Sequence, residues 1–154
     1  MVKLIKGSFD GSGMSVAIVL SEFNEMITGQ LKKGAIDALT KAGVDEEAIT
    51  VYQTPGSFEL PALARKVVET GRYDGVVCLG AVIRGETPHF DYVASEVTRG
   101  IGNLNYRSEI PVVFGVITAS TVDQAVDRAG VKAGNKGAEA ALALVQQAAV
   151  YRNL

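Results

Sequence analysis

The residues best suited to catalysis in this chain of 154 residues lie around its single histidine. His89 follows Arg84-Gly-Glu-Thr-Pro88, a stretch of turn-forming residues that comes directly after a long apolar run. Imidazole titrates near neutral pH, so His89 is able both to accept and to donate a proton. A lone histidine is more often structural, and it is the position of His89 in a loop after a strand that favours catalysis.

The loop before His89 also has features of a phosphate site. Residues 80–87 have the glycine spacing of a P-loop, but Glu86 stands where that motif requires lysine, so a nucleoside triphosphatase is not indicated. Gly85, Glu86 and Thr87 precede a predicted helix, and their backbone N–H groups can face an anion at its positive end. An ordinary glycine turn, with Arg84 as a solvated arginine, is the alternative.

Further aromatic and polar residues are associated with the other predicted strands. Phe23 and Asn24 follow the first strand, the segment Gly56-Ser-Phe-Glu59 follows the second, and Phe114 lies within the fourth. Ligands of an open parallel sheet bind beyond the carboxyl ends of its strands, so we expect these residues to converge with His89. Taken singly, Phe23 and Phe114 would each more often be core residues than ligand platforms.

A second cationic segment lies near the carboxyl end. The run from Arg128 to Lys136 has three cations around two glycines at a predicted helix start, which suits a phosphate. The alternative is a solvated cluster that Asp127 and Glu139 neutralise, and the composition alone does not separate the two.

Composition limits the other classes of function. Hydrophobic residues make up 47%, and 15 basic against 17 acidic side chains give a net charge of -2, which offers no general field for nucleic acid. Cys78, the only cysteine, lies in an apolar run and is expected in the core. No histidine and cysteine cluster indicates a metal site, and with no signal peptide or membrane span the expected location is the cytoplasm.

Strand and helix patterns alternate along the chain, and this order predicts one α/β domain over residues 1–154 with a parallel sheet between two helical layers. Residues 1–13 are expected to form a loosely attached arm, in which Lys3 to Phe9 is a candidate strand. The predicted strands are Ser15–Leu20, Ile49–Gln53, Gly75–Leu79 with a possible extension to Ile83, and Val112–Ile117; the predicted helices are Ile27–Ala42, Phe58–Thr70, Phe90–Leu104, Val122–Ala129 and Asn135–Tyr151.

Several of these segments together resemble the lumazine synthase family over nearly the whole chain, from about Ser15 to Tyr151. The long histidine motif is highly specific, because several unrelated residue types must coincide in it. The matching strings, in order, are Phe23-Asn24, Pro55-Gly-Ser-Phe-Glu59, Val82-Ile-Arg-Gly-Glu-Thr-Pro-His-Phe-Asp-Tyr92, Phe114-Gly-Val-Ile-Thr118, Arg128-Ala-Gly130 and Gly134-Asn-Lys-Gly137.

The resemblance implies a doubly wound, flavodoxin-like fold with a four-stranded parallel sheet and an arm strand shared with a neighbouring subunit. It implies condensation of 5-amino-6-(D-ribitylamino)uracil with 3,4-dihydroxy-2-butanone 4-phosphate to 6,7-dimethyl-8-ribityllumazine, with release of phosphate and water. This is the penultimate step of riboflavin biosynthesis, and no cofactor is implied. Small-molecule substrates are the expected partners, without nucleic acid or membrane.

The resemblance also assigns roles to residues. His89 is the catalytic residue, and Asn24 and Glu139 have supporting roles. The phosphate-binding residues are Gly85, Glu86, Thr87 and Arg128, and the aminouracil-binding residues are Phe23, Ser57, Phe58, Glu59, Ala81, Val82, Ile83, Phe114 and Lys136. Two departures from the family pattern are Glu86, a carboxylate in the phosphate loop, and Phe58, where many relatives have tryptophan.

Oligomeric assembly is implied as well. In this family the site lies between subunits, so Phe114, Arg128, Lys136 and Glu139 would come from a neighbour. The resemblance implies pentamers, and the turn from Gly130 to Lys136 is similar to that of members forming sixty-subunit shells, with riboflavin synthase as a possible cargo.

Three rival functions are considered. A flavin or pteridine carrier of the same fold would use the aromatic residues for stacking only, and an archaeal type of riboflavin synthase would consume lumazine instead of making it. A phosphoacceptor signalling domain is not indicated, because the third strand ends in Gly80-Ala81 without an aspartate.

Overall fold

The computed structural model describes residues 1–132 and 134–154 of the chain. Strand and helix alternate as predicted, with one-turn 3₁₀ helices at Glu46–Ala48 and Ser57–Glu59. The elements are β1 (Val16–Ser21), α1 (Glu25–Lys41), β2 (Ile49–Thr54), α2 (Leu60–Glu69), β3 (Gly75–Ile83), α3 (His89–Arg107), β4 (Val112–Ala119), α4 (Val122–Arg128) and α5 (Lys136–Arg152).

The strands form one parallel sheet in the order β2-β1-β3-β4. The chain first moves outward from β1 to β2 and then returns past β1 to β3, so the direction of winding reverses between β1 and β3. This reversal is the topological switch point of a flavodoxin-like fold. The expected doubly wound α/β architecture is therefore confirmed.

Two hydrophobic clusters cover the two faces of the sheet. Residues of β1 alternate between them: Val16, Ile18 and Leu20 pack with α1, α4 and α5, whereas Ala17 and Val19 pack with α2 and α3. This alternation follows from the period of two in a strand. All six residues of β1 are buried, as a central parallel strand between two helical layers requires.

Cys78 lies at the centre of β3 and is fully buried, which confirms its predicted place in the core. Burial raises the pKa of the Cys78 thiol to about 12, because the apolar surroundings disfavour the thiolate. The thiol therefore stays neutral and unreactive in the folded chain at cellular pH. Within the described residues, no helix has the length and apolar character needed to cross a membrane.

The arm of residues 1–13 forms no strand within this chain. It lies against the α1 and α5 layer, where the Gly11 N–H donates to the Ala42 carbonyl at 2.7 Å. At Gly7 a Cβ atom would come within 2.2 Å of the Gln146 carbonyl oxygen, so glycine permits close contact with α5. The addition of Lys3 to Phe9 to a neighbour's sheet stays a prediction.

Candidate active site

A crevice opens at the carboxyl edge of the sheet between β1 and β3. The pairing of these strands ends at Leu20 and Leu79, whereas β3 continues to pair with β4 as far as Ile83 and Ala119. Along residues 80–83, the β3 edge that faces β1 therefore has no strand partner among the described residues. Backbone groups at such a switch point are available to a planar ligand.

The turn after β2 closes one side of this crevice. Its backbone is tied to the segment after β1, because the Glu22 N–H donates to the Thr54 carbonyl at 2.8 Å and the Phe23 N–H donates to the Pro55 carbonyl at 3.1 Å. The absence of a side chain at Gly80 allows the turn to approach β3, since a Cβ atom there would lie 2.7 Å from the Ser57 hydroxyl oxygen.

Ser57 and the end of β3 present backbone to the crevice, and most of their side chains are buried. The Ser57 hydroxyl lies 3.5 Å from both the Ser21 hydroxyl and the Ala81 carbonyl oxygen. Ala81 and Val82 are 2% and 8% exposed and belong to the clusters on opposite faces of the sheet. Contacts of these three residues with a substrate therefore have to come mainly from their backbone.

Phe23 lies at the corner between β1 and α1 with 68% of its surface exposed. The next residue, Asn24, has φ 63° and ψ 51°, the left-handed conformation that asparagine tolerates better than most residues other than glycine. Its carbonyl accepts hydrogen bonds from the N–H groups of Ile27 and Thr28. Asn24 thus turns the chain into α1 immediately after an aromatic ring that faces solvent.

Phe58 and Glu59 lie in the 3₁₀ turn after β2 and are both exposed. The Glu59 carboxylate folds back over the turn, because its Oε1 lies 3.0 Å from the position of a Cβ atom at Gly56. An aromatic ring and a carboxylate thus lie exposed on the turn that closes one side of the crevice.

The loop between β3 and α3 is fixed at both ends. The Arg84 N–H donates to the Ala119 carbonyl at 2.9 Å, and the Arg84 guanidinium pairs with Asp91 at 3.1 Å while lying 4.5 Å from the ring centre of Phe90. Arg84 is thus a partly exposed arginine that also links the end of β3 to the start of α3.

The N–H groups of Gly85, Glu86 and Thr87 donate to no described residue. Together they lie between the end of β3 and the start of α3, as a backbone anion site requires. The Glu86 side chain is exposed and forms no ion pair with the described part of the chain.

His89 is the first residue of α3, one position earlier than predicted, and its side chain is exposed. Its N–H donates to the Thr87 hydroxyl at 3.4 Å, and the next turn begins with the bond from the Asp91 N–H to the Pro88 carbonyl at 3.0 Å. The backbone of His89 is therefore held at the helix start, two residues after Thr87, and its side chain is accessible to a ligand.

The remaining predicted residues lie on β4 and on the elements that follow it. Phe114 pairs with Cys78 in mid-sheet, and it precedes the end of β4 by five residues, or roughly 16 Å along the strand. Arg128 ends α4, and Lys136 and Glu139 lie in the first turn of α5. The expectation that Phe114 converges with His89 within one chain is therefore wrong.

The two cations of this second group are exposed or half-buried, and neither forms an ion pair with a described residue. Neutralisation of Arg128 and Lys136 by Asp127 or Glu139 is thus not seen in this part of the structure. Ala133, within the turn between the two cations, lies outside the described residues.

The larger grooves of a single chain lie away from His89. One of about 1020 Å³ follows α1 and the start of α5, and another of about 940 Å³ lies between α2 and α3. Residues 1–132 and 134–154 contain no group of three or more His, Cys, Asp or Glu side chains placed to hold a metal ion.

Sequence reasoning missed three structural roles around this edge. Gly80 had no predicted role, although its lack of a Cβ lets the Ser57 turn approach β3. The Arg84 and Asp91 pair was visible only as two charges seven residues apart across a loop. Asn135 was placed in the last helix, but it precedes that helix and its side chain contacts three elements.

Comparison with known families agrees with this arrangement. A family model described as 6,7-dimethyl-8-ribityllumazine synthase matches residues 13–152, which includes every element of the sheet and both groups of predicted site residues. The match leaves out only the first part of the arm and the last two residues. The chain therefore belongs to the 6,7-dimethyl-8-ribityllumazine synthase family and is a transferase of riboflavin biosynthesis.

Proposed function

We propose that the chain condenses 5-amino-6-(D-ribitylamino)uracil with 3,4-dihydroxy-2-butanone 4-phosphate to form 6,7-dimethyl-8-ribityllumazine, phosphate and water, the penultimate step of riboflavin biosynthesis. The observation that carries the proposal is the exposed His89 at the start of α3, beside backbone amides that donate to no described residue. The imidazole of His89 can transfer protons, and the backbone amides can hold the phosphate of the same substrate.

The aminouracil occupies the crevice between β1 and β3 in this proposal. Phe23 stacks on the pyrimidine ring, the backbone of residues 81–83 contacts its edge, and Phe58 borders it. The ribityl chain lies along the turn after β2, against Glu59 and the backbone of Ser57. Asn24 supports this arrangement, because its left-handed conformation sets the direction of the neighbouring ring.

The phosphate lies at the N–H groups of Gly85, Glu86 and Thr87, with Arg128 of a neighbouring subunit on its other side. The Glu86 carboxylate points away from the anion, since only its backbone is suited to bind one. Lys136 and Glu139 of the neighbour contribute polar contacts, and its Phe114 lies against the bound ring. Both edge strands of the single chain, β2 and β4, are open to such neighbours.

The reaction forms two carbon-nitrogen bonds in this arrangement. The 5-amino group attacks the ketone and loses water to give an imine, phosphate leaves, and the ribityl-bearing nitrogen closes the ring with loss of a second water. Each step needs a proton to be taken up or released, and His89 is placed to exchange it.

Orientation contributes more than proton transfer to the rate. General acid-base catalysis contributes about 10²- to 10⁴-fold, or roughly 3 to 5 kcal/mol. Holding two reactants in the productive geometry contributes about 7 to 11 kcal/mol. We therefore expect turnover to fall, but not to disappear, when the imidazole is removed.

We propose that residues 1–154 form a single domain whose arm, residues 1–13, adds a strand to a neighbour in pentamers. The pentamers assemble further into a sixty-subunit shell in the cytoplasm, which can enclose riboflavin synthase. The exposed apolar side chains of the arm favour such a contact, because Val2 and Leu4 are 94% and 82% exposed in the single chain. Light scattering measures the size of the assembly.

The test of the proposed reaction is an assay with both substrates and without ATP or added metal. Lumazine fluorescence and released phosphate should appear together and in equal amounts. A flavin or pteridine carrier would produce neither, and the archaeal type of riboflavin synthase would consume added lumazine. The absence of both products from an assembled, folded protein would contradict the proposal.

A further inference from the structure

Asn135 lies where three helices meet and has no place in the site described so far. Its Oδ1 accepts a hydrogen bond from the Ala138 N–H at 3.0 Å and thereby caps α5. Its Nδ2 donates to the carbonyl of Ala129, just after α4, and to the carbonyl of Gln30 in α1, each at 3.0 Å. One side chain thus ties the end of α4, the start of α5 and the first half of α1.

The surroundings of Asn135 leave its amide little freedom to move. A Cβ atom at Gly34 of α1 would lie 2.4 Å from the amide atoms of Asn135, and one at Gly137 would lie 2.2 Å from the Leu31 carbonyl oxygen. Only glycine at these two positions allows α1 and α5 to approach this closely. A helix cap alone would need neither the two donated hydrogen bonds nor the space at Gly34.

The backbone at this point sets the relation between two cations. Ala129 and Asn135 form an isolated antiparallel bridge, so the next residues outward, Arg128 and Lys136, start from adjacent points of the backbone. Neither cation has an ion-pair partner among the described residues. The contacts of Asn135 therefore fix the backbone from which both side chains extend.

We infer that Asn135 is a positioning residue, which sets the backbone position from which Arg128 reaches the phosphorylated substrate bound at a neighbouring subunit. The inference rests on the proposed function. If the contacts of Asn135 were lost, the Arg128 guanidinium would no longer be held where it pairs with the phosphate.

The experiment uses Asn135→Ser in the assembled protein. A serine hydroxyl still caps α5, but it is too short to reach the carbonyls of Ala129 and Gln30, and it adds no charge. We expect KM for the butanone phosphate to rise about tenfold, the effect of losing one charge-assisted contact, while kcat stays within about threefold.

Two further variants separate positioning from folding. Thr121→Ala removes the cap of α4, which the Thr121 hydroxyl provides to the Gln124 N–H at 3.1 Å, but it leaves the Asn135 contacts intact. It should keep the wild-type KM. Gly34→Ala displaces the Asn135 amide from the other side, so it should reproduce the increase in KM, and it serves where Asn135→Ser does not assemble.

A wild-type KM in assembled Asn135→Ser or Gly34→Ala, or an equal increase in Thr121→Ala, would overturn the inference and leave Asn135 as a helix cap. If the wild-type protein forms no lumazine, the proposed function fails by itself. In that event, calorimetric titration with inorganic phosphate still tests the placement of Arg128, because Asn135→Ser should weaken phosphate binding and Thr121→Ala should not.

Discussion

At the scale of single residues, the chemistry depends on how few groups of this chain can exchange a proton with a substrate near neutral pH. The exposed imidazole of His89 is one of them, and the fully buried thiol of Cys78 is not, because its pKa is raised to about 12. The same low-dielectric core that stabilises the sheet thus removes the cysteine from the chemistry. Proton transfer then depends on the residue at the start of α3.

Replacement of His89 by alanine should lower kcat by about 10²- to 10⁴-fold, the usual contribution of general acid-base catalysis, and still leave measurable product. KM for the butanone phosphate should change little, because the loop amides hold the phosphate. Steady-state kinetics on the assembled variant measure both quantities. Arg128→Ala should show the reverse pattern, with a raised KM and a smaller change in kcat.

Two matched variants control this comparison. His89→Asn keeps a polar side chain of similar size without a titrating group, so it should be as slow as His89→Ala. Arg107→Ala removes an exposed arginine at the far end of α3 and should have wild-type kinetics. Complete loss of product in an assembled His89→Ala variant would contradict the view that orientation contributes most of the rate.

At the scale of elements, the loop from Arg84 to Asp91 connects the end of β3 with the start of α3. The side chains of Arg84 and Asp91 are 46% and 57% exposed, so their ion pair should contribute only about 0 to 1 kcal/mol to stability. Its effect should therefore appear in the position of the loop amides and of His89. Arg84 also stacks on Phe90, which fixes the plane of the guanidinium.

A double-mutant cycle tests this role of the pair. Arg84→Gln and Asp91→Asn should each lower kcat/KM by about three- to tenfold, because a small displacement of the loop misaligns the substrate. The double variant should be no worse than the more severe single variant, and chemical denaturation should show a loss of less than about 1 kcal/mol. If Asp91→Asn kept the wild-type kcat/KM while Arg84→Gln did not, Arg84 would instead contact the substrate directly.

Most elements were predictable from sequence, because their signals are local. Buried apolar runs identified β1, β3 and β4, and the short run from Ile49 to Gln53 identified β2, most of which is not buried. The helix ends also have local signals, since Gly43 with φ 101° follows α1 and the Thr121 hydroxyl caps α4. The sequence analysis placed Asn135 inside the last helix, but Asn135 caps that helix from the position before it. The hydrogen bond from the Ala138 N–H to the Asn135 side chain, which distinguishes a cap from a helical residue, is not visible in the sequence.

The site was less predictable, because its decisive contacts join residues far apart in the chain. Asn135 bonds to the Gln30 carbonyl across 105 positions, and Gly80 accommodates a turn that begins 23 residues earlier at Ser57. The mid-strand position of Phe114 follows from strand register, which fixes where a residue lies along the sheet. Residue types alone do not give the strand register, so the sequence analysis wrongly expected Phe114 to lie with His89 at the edge of the sheet.

At the scale of the whole molecule, the two groups of predicted site residues lie on different elements of the chain. The first group surrounds the crevice and His89, and the second lies on β4 and on the elements that follow it. Because β4 is an edge strand, its free edge is open to another copy of the chain. A heterologous contact repeated around a ring would join the second group of each subunit to the first group of the next.

Mixed assemblies test this division of the site directly. Subunits with His89→Ala and subunits with Arg128→Ala, carrying different affinity tags, should be coexpressed in equal amounts and purified through both tags. If each site takes His89 from one subunit and Arg128 from its neighbour, random mixing restores both groups in about a quarter of the sites. The mixed protein should therefore have about a quarter of the wild-type kcat/KM, far above that of either variant alone. If its kcat/KM equalled the mean of the two variants, each chain would carry a complete site. Mixing of the two assembled variants without coexpression serves as the control and should restore no activity.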